Sequence, residues 1–177
     1  ILEGIADQYG IELIIIDNEN VNGQEYERIT ADILEPYMSN SVSLVTFQVL
    51  QYRSGALNPI KEITELAESY GAMTVWDASH AAGSVRLDFK ENNIDLAVGC
   101  TYKYLCAGPG SPAWLYVSKK QQNKLNVPIQ GWFAQKDQFG MGPKFEKSPD
   151  IRGFQIASPS LLGIRCVNSS LELIEEA

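Results

Sequence analysis

Short β-rich runs alternate along this chain with longer stretches of helical periodicity, and that alternation restricts the fold more than any other feature. Residues 11–16, 42–49, 72–76, 96–100 and 113–117 read as strands, the first continuous enough to be buried on both faces and ended by Asp17. Between them lie stretches with apolar residues three and four apart. Residues 1–8 look like the tail of a helix closed by Gly10, and residues 24–38 set Tyr26, Ile29, Ile33, Leu34 and Tyr37 on one face. Asn58-Pro59 reads as an N-cap and first turn, with Ile60, Ile63, Leu66, Ala67 and Tyr70 as the inner stripe and Gly71 as the stop. Residues 160–175 close the chain as an amphipathic helix with Leu161, Ile164, Val167, Leu171 and Ile174 on one side. Strands of four to eight residues separated by such helices imply one α/β domain with a mostly parallel sheet.

Charge and length exclude several classes of function. Fourteen Lys and Arg stand against 22 Asp and Glu, a formal net charge of −8, without a dense basic run to attract phosphate backbones. Nucleic acid and anionic membrane surfaces are therefore not expected partners. No apolar run approaches the ~20 residues of a membrane span. Three cysteines and a single histidine, His80, leave no metal-ligand spacing and no disulfide framework. The chain opens on Ile1, inside a helical pattern and without a signal or presequence pattern, so it is expected to be a segment of a longer polypeptide. Residues 126–158 lack regular periodicity but hold Trp132, Phe133, Phe139, Phe145 and Phe154, which predicts an ordered functional loop that packs on something.

In an open parallel sheet ligands gather beyond the carboxyl ends of the strands, so the residues just after each strand are the ones to read. Those residues here are Gln48, Gln51, Tyr52 and Arg53; then Asp77, Ser79 and His80; then Thr101, Tyr102 and Lys103. Lys103 lies 26 residues beyond Asp77, one strand-helix-strand unit, which predicts neighbouring strand ends. An acid and a lysine flanking one pocket suit pyridoxal phosphate: the amine forms a Schiff base with the aldehyde, and the carboxylate keeps the pyridine nitrogen protonated. Val98, Leu105 and Trp114 offer apolar walls. Taken singly, Asp77 is a cap or turn former, Lys103 a solvated cation and His80 a helix-capping imidazole; the joint spacing lifts Asp77 and Lys103 above those readings. Cys106 reads as a small buried hydrophobe, and the tryptophans as core, with Trp132 set apart by Gly131 and a polar loop.

Trp76-Asp77-Ala78-Ser79-His80-Ala81-Ala82-Gly83, Thr101-Tyr102-Lys103-Tyr104-Leu105 and Gly131-Trp132-Phe133 together resemble the kynureninases, pyridoxal-phosphate enzymes of the aspartate-aminotransferase fold in the class V aminotransferase group. Tyr52-Arg53-Ser54-Gly55 upstream, and Phe139-x-Met141 and Phe154-Gln155-Ile156-x-Ser158-Pro159 downstream, fall in that family's order, so the similarity runs through most of the chain. The resemblance implies a three-layer α/β domain, part of the family's large cofactor-binding domain over residues 1–177. By that resemblance the family's N-terminal segment and C-terminal small domain are expected to lie outside this sequence, and this portion alone is expected to be inactive.

By the same resemblance Lys103 bonds to the cofactor and moves protons, Asp77 pairs with the pyridine nitrogen, and His80 packs and hydrogen-bonds near the cofactor. Tyr102 donates to the phosphate and serves as an acid/base, and Gln48 lies close to the cofactor. Trp132 and Ser158 reach into the neighbouring subunit's site, which implies a homodimer with shared active sites. The implied reaction is hydrolysis of L-kynurenine, or its 3-hydroxy form, to anthranilate, or 3-hydroxyanthranilate, and L-alanine. Its setting is the cytoplasm, within tryptophan catabolism and NAD biosynthesis. Rivals are another class V enzyme, such as a cysteine desulfurase or an aminotransferase, and a non-catalytic binding or dimerisation module. Two positions depart from the family: Cys106 stands where it usually has Asn, and Ala134-Gln135 where it has Gly-His.

Overall fold

The computed structural model describes residues 1–16 and 27–176. Four strands form one sheet in the order β1 (Leu44–Gln48), β2 (Met73–Asp77), β3 (Leu96–Gly99) and β4 (Trp114–Val117). β1 and β2 pair in parallel, as do β2 and β3, whereas β4 runs antiparallel to β3 at the edge. The sheet is thus mostly parallel, in the three-layer α/β type of architecture that the sequence pattern implies. Helices α1 (Leu2–Tyr9), α2 (Ala31–Leu34), α3 (Ile60–Ser69), α4 (Lys119–Gln122) and α5 (Leu161–Glu176) follow in chain order, with α3 packed on β2 and α2 against α3.

The core lies on the α3 face. Side chains alternate across a strand, so Val45, Trp76 and Ala97 point together toward Ile60, Ile63 and Ala67 of α3. Trp76 is 1% exposed, and its indole N–H donates to Thr64 of α3 at 3.1 Å, which satisfies the one polar atom that its burial would strand. On the opposite face Leu44, Val98 and Leu115 stay open among the described residues, and Val98 faces Leu115 across the β3–β4 ladder.

Five expectations need correction. The strand-helix-strand unit expected between Asp77 and Lys103 has no helix: residues 78–95 run from β2 to β3 through turns alone, the first of them with Gly83 at φ 88°. Residues 11–16 are not a strand. They pair with no neighbour among the described residues and Ile11, Leu13, Ile14 and Ile15 are exposed, because a β-branched run has no ladder without a second backbone beside it. The helix expected over residues 24–38 is cut to α2 and a 3-10 turn, Glu35–Tyr37, since Pro36 brings no N–H to continue α-helical bonding. Asp17 and residues 24–26 lie outside the described residues. Asn58 is not the N-cap of α3; that position is Pro59. The buried Asn58 amide instead accepts from Ile29 N–H at 2.9 Å and donates to Gln48 C=O at 2.7 Å, joining the segment before α2 to the end of β1. Finally, Cys106 is exposed rather than buried and adopts φ 58°.

Residues 126–158 are ordered as expected. Gln135 and Lys147 form a bridge between two antiparallel arms, flanked by 3-10 turns at Trp132–Ala134 and Ile151–Phe154. Gly131 is required there, because a Cβ would strike the Ile156 backbone on the far side of the loop. No helix among the described residues is long and apolar enough to cross a membrane.

Candidate functional site

The parallel register puts Gln48 and Asp77 side by side at the carboxyl ends of β1 and β2. Ala78 N–H still donates to Val98 C=O at 2.8 Å, so the chain leaves the sheet only at Ser79. There the Asp77 carboxylate accepts the Ser79 N–H through Oδ1 at 2.8 Å, an Asx turn that fixes the side chain at the strand end. Oδ2 accepts no hydrogen bond among the described residues. A half-buried carboxylate with one oxygen committed and one open can take an N–H from a ligand without rearranging.

The turn after Asp77 delivers His80 to Lys103. Lys103 Nζ lies 2.9 Å from His80 Nε2, and an ammonium donating there requires the ring proton on Nδ1. Neither side chain is paired with a carboxylate among the described residues, so the amine is held by a neutral acceptor. Lys103 Nζ also lies 5.6 Å from the centroid of the Tyr102 ring. The Asp77 turn and the lysine loop therefore meet at one strand end through His80, as the 26-residue spacing predicts.

Two residues that sequence reading left without a role complete this arrangement. The His80 ring has two aromatic neighbours, Tyr52 at 5.9 Å and tilted 32°, and Tyr104 edge-on at 6.4 Å. Tyr52 is anchored in turn, its N–H donating to Gln48 Oε1 at 3.2 Å. The available signal was position: Tyr52 follows a strand end by four residues, and Tyr104 is next to the lysine. Close backbone approach holds the two loops together. Gly83 has φ 88°, and a Cβ on it would strike the carbonyl of Tyr104, so the His80 turn can lie against the lysine loop only with glycine there.

Of the expected site residues, the fold therefore gathers Gln48, Asp77, His80, Tyr102 and Lys103. Trp132 and Ser158 sit apart from them on the 126–158 loop. Both are exposed, and neither makes a hydrogen bond or ring contact to the Lys103 cluster among the described residues; Trp132 packs edge-on against its neighbour Phe133 at 4.5 Å. Of the expected walls, Val98 is open to solvent and Leu105 and Trp114 are half-buried.

Comparison with known proteins agrees with this geometry. The family model for aminotransferase class-V matches residues 5–176. A kynureninase from Pseudomonas fluorescens is 30% identical over 178 residues, covering 99% of this chain and 40% of the relative. One from Deinococcus radiodurans is 31% identical over 149 residues, covering 84% and 36%. Among solved structures, a cystine C-S lyase, C-DES, in complex with cysteine persulfide superposes with a TM-score of 0.80 at 18% identity, covering 99% of this chain and 46% of that one. A cysteine desulfurase from Thermococcus onnurineus does so with 0.74 at 21%, covering 99% and 42%. These structural likenesses show the fold alone, and the chain spans about 40% of the length of the Pseudomonas fluorescens relative.

Proposed function

Since the chain belongs to the aminotransferase class-V family, we propose that it is the cofactor-binding part of a pyridoxal-phosphate-dependent kynureninase. The observation that carries the proposal is the Lys103–His80 contact of 2.9 Å beside an Asp77 carboxylate with one open oxygen. Relatives with 30–31% identity bear the kynureninase name, and Thr101-Tyr102-Lys103-Tyr104-Leu105 and Gly131-Trp132-Phe133 support that member over others.

The residues fit the cofactor. An amine on a neutral imidazole and an accessible carboxylate oxygen are the donor set that an aldehyde and a basic heterocyclic nitrogen require. When bound, pyridoxal phosphate supplies an aldehyde for the lysine and a protonated ring that withdraws electrons from the substrate's α-carbon. Asp77 Oδ2 holds the proton on the ring nitrogen. His80 keeps Lys103 Nζ at the strand end, with Tyr52 and Tyr104 limiting the tilt of the imidazole. Lys103 Nζ is the base that takes the α-proton. Tyr102, half exposed beside Lys103, offers its hydroxyl to phosphate and to the departing group.

The substrate is L-kynurenine or 3-hydroxykynurenine. Water adds to the side-chain ketone, the bond between that carbon and Cβ breaks, and Cβ takes up a proton, so anthranilate or its hydroxy analogue leaves with L-alanine. The protein works as a homodimer in which Trp132 and Ser158 of one subunit complete the site of the other. The exposure of both residues supports this. A cytoplasmic role in tryptophan breakdown and NAD synthesis accords with three free cysteines.

The test is product analysis on the full-length polypeptide. Anthranilate and alanine from kynurenine, abolished in Lys103→Ala, are the expected result. Alanine and persulfide from cysteine would assign the chain to the desulfurases, and no reaction with any amino acid, together with no absorbance change on adding pyridoxal phosphate, would leave a binding module.

A further inference from the structure

The loop that carries Lys103 is closed at its base by two hydroxyls that the proposed chemistry does not use. Thr101 is 5% exposed, and its hydroxyl lies 2.6 Å from Pro112 C=O and 2.7 Å from Ser111 Oγ. Ser111 Oγ in turn donates to Gly108 C=O at 2.7 Å. Each hydroxyl has one proton, so Thr101 shares its own between Pro112 C=O and Ser111 Oγ while Ser111 passes its proton to Gly108. The chain of bonds joins the first residue of the loop to its last turn. Inside this closure Ala107 N–H donates back to Thr101 C=O at 3.0 Å and Cys106 N–H to Lys103 C=O at 2.9 Å.

Cys106 shows that the loop is held from outside itself. A cysteine at φ 58° sits in the left-handed region that side chains other than Gly, Asn and Asp seldom occupy, and such a conformation persists only where its surroundings impose it. Its exposed side chain makes a weak sulfur bond to Tyr104 C=O at 3.5 Å, which lies within the loop and ties it to nothing outside. The Thr101–Ser111 closure below, and the Gly83 turn against the Tyr104 carbonyl on one side, are the restraints present.

We propose that Thr101 and Ser111 form a clasp that positions Lys103, keeping its amine at His80 and aimed toward the Asp77 end of the sheet. Thr101 is a positioning residue: it acts through the backbone of the loop, and a hydroxyl that is 5% exposed and whose one proton is spent inside the loop has none to donate to a ligand. The inference rests on the reading of Lys103 as the amine that captures the cofactor, and goes beyond it in assigning how that amine is held.

Thr101→Val, which keeps the shape and removes the hydroxyl, is compared with Thr101→Ser, Ser111→Ala and the double variant Thr101→Val/Ser111→Ala in the full-length protein. Two measurements use the cofactor-free protein: amide exchange at Cys106 and Ala107, and the labelling rate of the Lys103 amine by an acylating reagent relative to the exposed Lys119, both by mass spectrometry. A third is the rate at which added pyridoxal phosphate develops its lysine-linked absorbance band.

Loss of a buried hydrogen bond predicts about tenfold faster exchange at the two amides in Thr101→Val, with exchange in β1 and β2 unchanged. Lys103 labelling should change at least threefold and capture should slow about tenfold, the scale of one such bond. Thr101→Ser should restore all three, and the double variant should be no worse than Thr101→Val, because the two hydroxyls act as one unit. Unchanged exchange in Thr101→Val and Ser111→Ala, or faster exchange with Lys103 labelling as in the unmodified protein, would overturn the clasp. Should the unmodified protein fail to capture the cofactor, the functional reading falls, while exchange and labelling still decide whether Thr101 positions Lys103. A Thr101→Val chain that does not fold leaves Ser111→Ala to carry the same measurements.

Discussion

Two aspartates lie at opposite ends of neighbouring strands and are used in opposite ways. Asp95 precedes β3 at the amino end of the sheet, and each of its oxygens is occupied: Ser118 donates to Oδ1 at 2.5 Å, and Gln121 at 2.7 Å and Lys120 at 3.0 Å both reach Oδ2. Lys120 also reaches Glu68 of α3 at 3.5 Å, so the group ties helix and strands together beside a cavity of about 260 Å³. Asp77 ends β2 at the carboxyl end with one oxygen bonded to its own turn and the other open. A carboxylate saturated by its own chain is structural, and one left half-used is placed for a ligand. The lysines repeat the contrast, Lys120 between two carboxylates and Lys103 on a neutral imidazole.

Removing the amine is the largest break of this contrast. Lys103→Ala should abolish both the absorbance band with pyridoxal phosphate and all turnover in the full-length protein, with the melting temperature within a degree or two of the parent. A surviving band would move the covalent role to another lysine. Exchanging the two acids separates function from stability. Asp77→Asn keeps the acceptor for Ser79 N–H and should cost about a hundredfold or more in turnover with little loss of stability. Asp95→Asn should leave turnover near the parent value and cost about 2 to 3 kcal/mol in denaturant unfolding, the scale of hydrogen bonds to a charged group. Equal effects of the two substitutions on both measurements would erase the distinction.

Acid should reveal the same difference. Burial alone would raise the Asp95 carboxyl, but the hydrogen bonds from Gln121, Ser118 and Lys120 outweigh it and hold the group below the ordinary carboxylate range. The unfolded chain therefore binds the proton more readily. The stabilisation is complete above the unfolded Asp value of about 4 and is lost as pH falls through the lower folded value. Unfolding measured from neutral pH downward should show a steeper loss of stability in the parent than in Asp95→Asn. Parallel curves would mean that Asp95 contributes nothing pH-dependent.

How far the sequence disclosed all this depended on whether the deciding interaction was local. β1, β2, β3, β4, α3 and the placing of Asp77 and Lys103 at neighbouring strand ends were legible because strand ends and the spacing between them determine them, although the helix expected between those strands is absent; His80 read as a helix cap by itself and joined the site only through the family resemblance. Residues 11–16 misled because a β-branched run signals only the capacity to pair, and the missing neighbour is a tertiary fact. Asn58 misled for a related reason: its amide found two backbone partners, one of them 29 residues away, that no local pattern displays. Tyr52 and Tyr104 were visible as positions but not as neighbours of His80, a contact that exists only when the two loops meet.

Cys106 offers the finest test, because a difference in composition there turns out to concern the backbone. The kynureninases that the chain resembles usually have Asn at this position, which at first suggests a change in the lining of the pocket. The structure gives a different reason. At φ 58° the residue occupies the left-handed region, where the short Asn side chain bonds locally and is several-fold enriched, whereas cysteine has only a weak thiol bond to offset the crowding of its Cβ. The Cys106 thiol is exposed, and its one contact is a bond of 3.5 Å to Tyr104 C=O. Cys106→Asn should therefore raise stability by about 0.5 to 1 kcal/mol, and Cys106→Gly by a similar amount reduced by the greater freedom of glycine in the unfolded chain. Neither should alter turnover beyond about twofold, since the loop stays closed by Thr101 and Ser111. Denaturant midpoints of the three proteins decide it: a destabilised Cys106→Asn would show that the thiol contributes a contact of its own, and that position 106 belongs with the site rather than with the backbone that holds it.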